Sequence, residues 1–382
     1  TPSRSRFLSV RGLRYHLREW GEPGAPGIFM LHGWMDVSAS FQFIVDALAS
    51  DWHVIAPDWR GFGRTEWRGD AYWFPDYLGD LDAILDLCSP EQAVNLVGHS
   101  LGGNVACIYA GVRPARVRRL VALDAFGLAD TSPEQAPGRL EKWLRDLAAP
   151  AVFRGYADEE ALAARLQSDN PRLSVERARF LAGHLGEADS GGAIRLAGDP
   201  AHKRVNPVLY RRAEVLACWR RVSAPTLWIE PDVPALRRRL GVDDDAHADE
   251  DTGSDEARPA GFAAQRCKAG DNRQHGNYAG EEGEARIVTL LDRHVERGHR
   301  DEVHRPDAAA ECDAGEDQPE QARAAFGGAH PLGHVERAEG CYERDHEGED
   351  DKSGIVMMHH TCDVLSKQMP RIVMRVLYAR TS

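Results

Sequence analysis

The hydrophobic residues of the first 242 positions occur either in short apolar runs or in longer segments with helical spacing. A short apolar run bounded by turn residues is typical of a buried strand, whereas apolar residues at every third or fourth position indicate a helix. We predict strands near residues 6–10, 13–20, 27–31, 53–57, 93–97, 118–123 and 225–230. We predict helices near residues 39–49, 76–88 and 101–111. This alternation predicts an α/β fold with a mainly parallel, doubly covered sheet and an antiparallel hairpin at its edge.

The stretch between the sixth and seventh predicted strands, residues 129–221, has no convincing strand pattern. Its amphipathic segments predict helices near residues 138–148, 158–167, 174–185 and 207–220. Three aromatic residues in this insertion either line a pocket or pack in its interior: Trp143, Phe153 and Tyr156. Because large aromatic side chains are usually buried, we favour the interior.

Composition changes abruptly near residue 243. Residues 243–352 contain 13 Lys and Arg against 30 Asp and Glu, with only 12 large apolar side chains. So few apolar groups cannot offset the entropy of ordering the chain, so we expect a poorly ordered acidic region or the product of a changed reading frame. We therefore divide the chain into a core (1–128 and 222–242), an insertion (129–221), the acidic region (243–352) and a C-terminal segment of unassigned structure (353–382).

Charge, hydropathy and cysteine content bear on which partners the protein binds: nucleic acid, a membrane, a metal or a cofactor. The net charge of −13 disfavours nucleic acid, and no apolar run approaches the roughly 20 residues that span a membrane. The basic, polar start lacks a signal core, so we expect a cytoplasmic protein. The seven cysteines form no C-x-x-C pair, and Met357-Met358-His359-His360 alone is poor evidence for a metal. We expect neither a cofactor nor a metal.

A serine between glycines is the clearest candidate for a catalytic residue. Gly98-His99-Ser100-Leu101-Gly102-Gly103 follows an apolar run and precedes a helical pattern. A G-x-S-x-G segment between a strand and a helix places the serine on a sharp, strained turn, where its hydroxyl is exposed as a nucleophile. We therefore predict that Ser100 is a catalytic nucleophile.

Two further motifs follow predicted strands. His32-Gly33-Trp34 ends the third strand, and the amide groups of Trp34 and Leu101 are the predicted donors of an oxyanion hole. Asp58-x-Arg60-Gly61-x-Gly63 follows the fourth strand. Its glycines do not complete a nucleotide-binding fingerprint, so we predict no phosphate loop there.

Together these three motifs, in this order, resemble the α/β-hydrolase superfamily over residues 6 to about 240. The resemblance implies a parallel sheet with a helical cap, formed by the insertion, over the active site. Ser100 argues against the haloalkane dehalogenase and epoxide hydrolase branches, which have aspartate at that position. It leaves esterases, lipases, thioesterases, carbon–carbon bond hydrolases and some aminopeptidases open.

The resemblance also implies an acid and a histidine base. The family acid usually follows the seventh strand, which makes Asp232 our first assignment. Asp124, after the sixth strand, is the alternative, and Glu230 is a weaker third.

The family histidine lies in a Gly-His pair after an eighth strand, with a proline seven residues later. Ile287–Leu291 is the only strand-like run in the acidic region, and His299 and Pro306 follow it with that spacing. The 67 residues from Asp232 to His299 are about twice the usual family separation, and Gly333-His334 is a competing pair.

Two functions are consistent with these residues. The first is a serine hydrolase that cleaves a carboxylic ester or related acyl bond of a small molecule, with Ser100, His299 and Asp232 as its triad. The bulky Trp34 beside the oxyanion hole favours short or medium substrates. The second is an impaired relative that only binds a small apolar ligand, or a defective gene product.

Overall fold

The computed structural model of this 382-residue chain describes residues 1–48, 51–67, 71–125 and 127–231, with the backbone of two later strands. The strands are β1 (Ser3–Val10), β2 (Leu13–Trp20), β3 (Gly27–Leu31), β4 (His53–Pro57), β5 (Val94–His99), β6 (Val117–Leu123), β7 (Gly186–Ala188), β8 (Ile194–Leu196), β9 (Thr226–Pro231), β10 (Phe262–Gln265) and β11 (Ala285–Leu290). The α-helices are α1 (Gln42–Ala47), α2 (Phe74–Cys88), α3 (Leu101–Val112), α4 (Ala136–Ala148), α5 (Glu159–Asp169), α6 (Val175–Leu185) and α7 (Arg212–Trp219).

The main sheet has the strand order β1-β2-β4-β3-β5-β6-β9-β11-β10. Its central strands β4, β3, β5, β6 and β9 are parallel, whereas β1 and β2 form an antiparallel hairpin at one edge. The predicted fold class and all seven predicted strands are therefore confirmed. The hairpin turns at Arg11 and Gly12, whose φ angles of 48° and 80° suit the tight two-residue turns that match strand twist.

Both faces of the parallel strands are buried under helices. Successive side chains of each strand point to opposite faces, so they pack in two separate clusters. In β3, Ile28 and Met30 pack in a cluster with residues of α1, whereas Phe29 and Leu31 pack in a second cluster with residues of α2 and α3. Each fully buried aliphatic side chain contributes ~1.5–3 kcal/mol to folding relative to exposure. This two-sided burial fixes the sheet, and with it the loops at its carboxyl edge.

The predicted helices between β6 and β9 are present, and we call α4 to α6 with the β7–β8 hairpin the cap. Residues of α5 and α6 form a third apolar cluster with Val37 and Ala39, which follow β3. The helix α7 instead packs on α3, and its Trp219 also contacts Trp228 of β9, with ring centroids 5.1 Å apart. The helix α7 lies within the predicted insertion, residues 129–221, and its side chains pack against the core cluster.

The insertion, whose sequence shows no convincing strand pattern, contains the two short strands β7 and β8. The hairpin of β7 and β8 has only three residues in each strand, so it leaves no alternating pattern to read. Its turn is held by Asp189, whose carboxylate accepts the N–H groups of Gly191 and Ala193 at 2.9 and 3.0 Å. An aspartate that bonds to the following backbone is a turn former in its own right.

Candidate functional site

The site lies where the strand order reverses. From β3 the chain passes outward to β4 and then returns to β5 on the other side of β3. In open α/β sheets, ligands bind outside the carboxyl ends of the strands at such a switch point. His32 follows β3 and Ser100 follows β5, so these two segments flank it.

Ser100 occupies the turn between β5 and α3 with φ 49° and ψ −113°. This is a region of backbone space that non-glycine residues rarely enter, and it costs ~1–3 kcal/mol. The turn is held from both sides, because the Ser100 N–H donates to Leu123 O at 2.8 Å and the Asn104 N–H donates to Ser100 O at 2.9 Å. The expected strained turn is therefore present, with Ser100 at its apex.

The glycines two positions to either side of Ser100 are required by close backbone contacts. A Cβ atom at Gly98 would lie 2.5 Å from Gly102 O, and one at Gly102 would lie 2.2 Å from Leu31 O. Both distances are far inside van der Waals contact. Only glycine at these positions lets α3 start this close to β3 and β5.

His32 fixes the loop opposite Ser100. Its Nε2 accepts the Trp59 N–H at 2.8 Å, so the ring proton is on Nδ1, which donates to Gly33 O at 2.7 Å. Burial lowers the pKa of His32 to about 4, although Asp58 raises it, so the ring is neutral near pH 7. In a trans peptide the C=O and N–H groups point in opposite directions. Holding Gly33 O on the imidazole therefore directs the Trp34 N–H away from it.

Trp34 and Leu101 carry the two amide groups predicted for the oxyanion hole. Neither N–H donates a hydrogen bond to another described residue. Leu101 is the first residue of α3, whose N-terminal end carries positive partial charge. The loops approach closely, since a Cβ atom at Gly33 would lie 3.3 Å from Ser100 Cβ.

Asp124 lies at the same sheet edge. It follows β6, the neighbour of β5, has φ 58°, and donates its N–H to Ile229 O of β9 at 2.8 Å. Its side chain is buried. Asp232, our first assignment, follows the last residue of β9 and lies outside the described residues, as does the side chain of Glu230.

His299, the predicted base, also lies outside the described residues. The strand predicted before it is present as β11, but β11 pairs antiparallel to β9, with Thr289 opposite Leu227. The chain therefore leaves β11 at the sheet edge opposite Ser100.

The structure describes a further histidine beside Ser100. Burial, followed by the proximity of His32, lowers the pKa of His99 to about 4. No hydrogen bond joins the Ser100 hydroxyl to a histidine within the described part of the chain.

The third motif is structural. Asp58 accepts the Ser38 N–H, the His16 ring and the Arg64 N–H at 2.7, 2.7 and 3.0 Å. Burial opposes ionisation, but the hydrogen bond and charge of His16 outweigh it and hold the pKa of Asp58 well below its usual range. Arg60 donates twice to Asp80 of α2, at 2.6 Å each. The motif therefore ties the loop after β4 to β2 and α2.

Sequence reasoning missed Asp36, two residues after Trp34. Its buried carboxyl group accepts the Val37 N–H at 2.7 Å and the Ser40 hydroxyl, and Met35 before it has φ 60°. Burial raises the pKa of Asp36 to about 7, although both hydrogen bonds lower it. No local pattern marks it, because a polar residue in a loop is usually exposed.

Of the three aromatics of the insertion, Phe153 is buried in the core cluster and Tyr156 packs against the cap cluster.

Residues 26–184 match the family model of the alpha/beta hydrolase fold. A serine hydrolase-like protein of Danio rerio is 31% identical over 183 residues, 46% of this chain and 56% of that protein. A 3-hydroxybutyrate-oligomer hydrolase of Cupriavidus necator is 33% identical over 160 residues, 41% of this chain and 52% of that protein. The solved thioesterase domain from the curacin biosynthetic pathway has a TM-score of 0.55 and 26% identity, covering 59% of this chain and 82% of that domain.

The described core of the chain therefore has the alpha/beta hydrolase fold that the resemblance implied, with the family-model match over residues 26–184. The chain spans about half the length of the curated relatives it matches. Among the residues that the structure describes, no helix is both long enough and apolar enough to cross a membrane.

Proposed function

We propose that this protein is a serine hydrolase that cleaves a carboxylic ester, thioester or related acyl bond of a small molecule through an acyl-enzyme on Ser100. The observation that carries the proposal is the strained turn of Ser100 at the switch point, opposite an amide loop locked by His32. A serine used only to cap a helix has no need of positive φ or of two flanking glycines in backbone contact.

The first half of the reaction acylates the serine. Ser100 Oγ attacks the acyl carbon as a histidine accepts its proton, and the negative charge that develops on the carbonyl oxygen is stabilised by the Trp34 and Leu101 N–H groups. The bond to the leaving alcohol or thiol then breaks, and the histidine returns the proton to it. Water next attacks the acyl-enzyme with the same proton path, which releases the acid and restores Ser100.

A base and an orienting acid complete the proposal. We assign His299 as the base and Asp232 as the acid, with Asp124 as the alternative acid. Asp124 follows β6, and Asp232 is the next residue in the sequence after β9. The strands β6 and β9 are adjacent and parallel, and their carboxyl ends lie at the edge that carries Ser100. Only the acid that meets the base keeps its imidazole in the required tautomer.

The names of the relatives support acyl chemistry. Two are named as hydrolases and the third as a thioesterase domain. Trp34 is half-buried beside the expected oxyanion hole, and its bulk favours a confined pocket. We therefore expect short and medium acyl groups to be turned over fastest.

Hydrolysis of a p-nitrophenyl ester series and of matched thioesters tests this function. We expect Ser100→Ala to lower kcat at least ~10³-fold, while the exposed Ser223→Ala retains wild-type activity. His299→Gln and either Asp232→Asn or Asp124→Asn should each lower kcat by up to ~10⁴-fold. Folded protein that hydrolyses none of these substrates would refute the proposal and favour a ligand-binding or defective relative.

A further inference from the structure

A cleft of about 740 Å³ lies between the cap and the hairpin edge of the sheet. Its lining comes from β2, the loop after β4, and the end of α6 with β7, and it includes none of Ser100, Trp34 and Leu101. It is therefore a second cavity between core and cap, separate from the site proposed above.

Three arginines of this cleft form no ion pair among the residues that the structure describes. Arg14, Arg18 and Arg64 form no ion pair with any carboxylate of the described ranges. By contrast, Arg11 and Arg60, on the neighbouring α2 side, both pair with Asp76 and Asp80.

The guanidinium groups are held by neutral neighbours. Arg18 donates to Ser3 Oγ at 2.9 Å, and Arg64 donates to Ser5 Oγ at 2.9 Å. Arg14 lies over the Phe7 ring, 3.7 Å from its centroid. These contacts position the groups without neutralising them, which leaves donors available for an anion.

The positive groups are close enough to affect one another. Burial lowers the pKa of Arg18, and Arg64 lowers it further, while Asp58 opposes both. Burial also lowers the pKa of His184 on α6, as do Arg18 and Arg64. A histidine of the cap and two arginines of the core therefore converge on one space.

The carboxylates that line the cleft form no ion pair with the side chains of Arg14, Arg18 or Arg64. Asp58 is buried beneath it, and its charge is compensated by His16, the Ser38 N–H and the Arg64 N–H. Glu66 and Glu187 are exposed, and Glu66 accepts the Arg14 N–H at 2.8 Å. The bonds of Asp58 and Glu66 to Arg64 and Arg14 involve backbone N–H groups, so the guanidinium charges stay uncompensated by these carboxylates.

We propose that this cleft binds a phosphate-bearing small molecule, with Arg18 and Arg64 holding the phosphoryl oxygens and Arg14 contributing a third positive charge. A tetrahedral phosphoryl group offers enough acceptor oxygens for two guanidinium forks at once, and arginine suits it geometrically. The volume leaves room for an organic portion beside Trp67, which is 49% exposed. The occupied cleft would join β2 and the loop after β4 to α6 of the cap.

Calorimetric titration of the full chain with inorganic pyrophosphate at low salt tests the site. We expect saturable binding that weakens as salt is raised, and at least about tenfold weaker binding by Arg18→Gln and by Arg64→Gln. Arg118→Gln is the matched control, because Arg118 is exposed on β6 and outside the cleft. Arg64 is exposed, and its side chain contacts Ser5 and Phe7 of β1, while its bond to Asp58 is made by the backbone N–H; the variant should therefore remain folded.

NMR titration of His184 gives a second readout. Pyrophosphate should raise the pKa of His184 in the wild type, and in Arg64→Gln the same rise should need at least about tenfold more pyrophosphate. The proposal is overturned if folded wild type does not bind pyrophosphate, if citrate binds at least as tightly, or if the two cleft variants bind as well as Arg118→Gln. Ester hydrolysis by Ser100 is measured separately, so failure here leaves the proposed hydrolase untouched.

Discussion

His32 and Trp59 bind each other in both directions: the Trp59 N–H donates to His32 Nε2 at 2.8 Å, and Trp59 Nε1 donates to His32 O at 2.9 Å. This pair joins the ends of β3 and β4 and sets the tautomer that holds Gly33 O. We therefore expect His32→Ala to lower the free energy of unfolding by about 2–4 kcal/mol, through a cavity and two unpaired backbone groups. It should also lower kcat about 10²-fold, as loss of an oxyanion donor does.

Urea unfolding and ester kinetics check this prediction. His53→Ala is the control, because His53 lies at the start of β4, away from the carboxyl edge, and contacts Arg4. It should leave kcat unchanged. An unaltered kcat in His32→Ala would show that this imidazole does not position the Trp34 amide.

Backbone strain at Ser100 makes a prediction about stability. Glycine adopts φ 49° without a steric penalty, whereas alanine does not. The free energy of unfolding of Ser100→Gly should therefore be about 1 kcal/mol greater than that of Ser100→Ala. We expect both variants to be inactive. Equal stability of the two variants would indicate that the turn is unstrained.

The glycines of the chain differ sharply in what an added methyl group would meet. At Gly102 the Cβ atom would collide with Leu31 O, whereas at Gly138 on α4 nothing lies within 4 Å. Gly102→Ala should cost more than about 3 kcal/mol of stability, and Gly138→Ala should gain up to about 1 kcal/mol through helix propensity. Thermal and urea unfolding of both variants decide this, and a tolerated Gly102→Ala would contradict the contact between α3 and β3.

Asp36 predicts how stability depends on pH. Its pKa is raised to about 7 by burial, while in the unfolded chain it is ~3.9. Between these values the folded protein holds more protons, so the contribution of Asp36 is complete below pH ~4 and is lost as pH rises through 7. The slope is at most about 1.4 kcal/mol per pH unit.

Asp36→Asn should remove this slope between pH 5 and 7, as measured by urea unfolding at fixed pH values. The matched control is the exposed Asp51→Asn, which should keep the wild-type slope. An Asp36→Asn protein with the same pH dependence as the control would show that this carboxyl group is ionised throughout.

The strands and the Ser100 turn could be predicted because their constraints are local. Gly98 and Gly102 have to be glycine for the turn to close, and an apolar run such as 27–31 is buried on both faces wherever it lies in the sheet. The packing of α7 on α3 could not be predicted, since an amphipathic pattern shows which face is buried but not against what. The antiparallel direction of β11 likewise could not be predicted, because it depends on pairing with β9 and not on a pattern in the residues of β11.

The catalytic assignments differ in the same way. Ser100 and the amides of Trp34 and Leu101 come from short motifs that carry their own geometry. The acid and base depend on where a long connection returns, which sequence spacing does not fix. The position of Asp124 near the Ser100 turn became evident only from the sheet order, since β6 pairs with β5 and the Ser100 N–H donates to Leu123 O.

Reaction with a fluorophosphonate, followed by intact mass and peptide mapping, tests the central claim most directly. The account predicts a single adduct on the wild type, located on Ser100 and absent from Ser100→Ala. Folded wild type without an adduct, or an adduct that persists at another residue in Ser100→Ala, would contradict it.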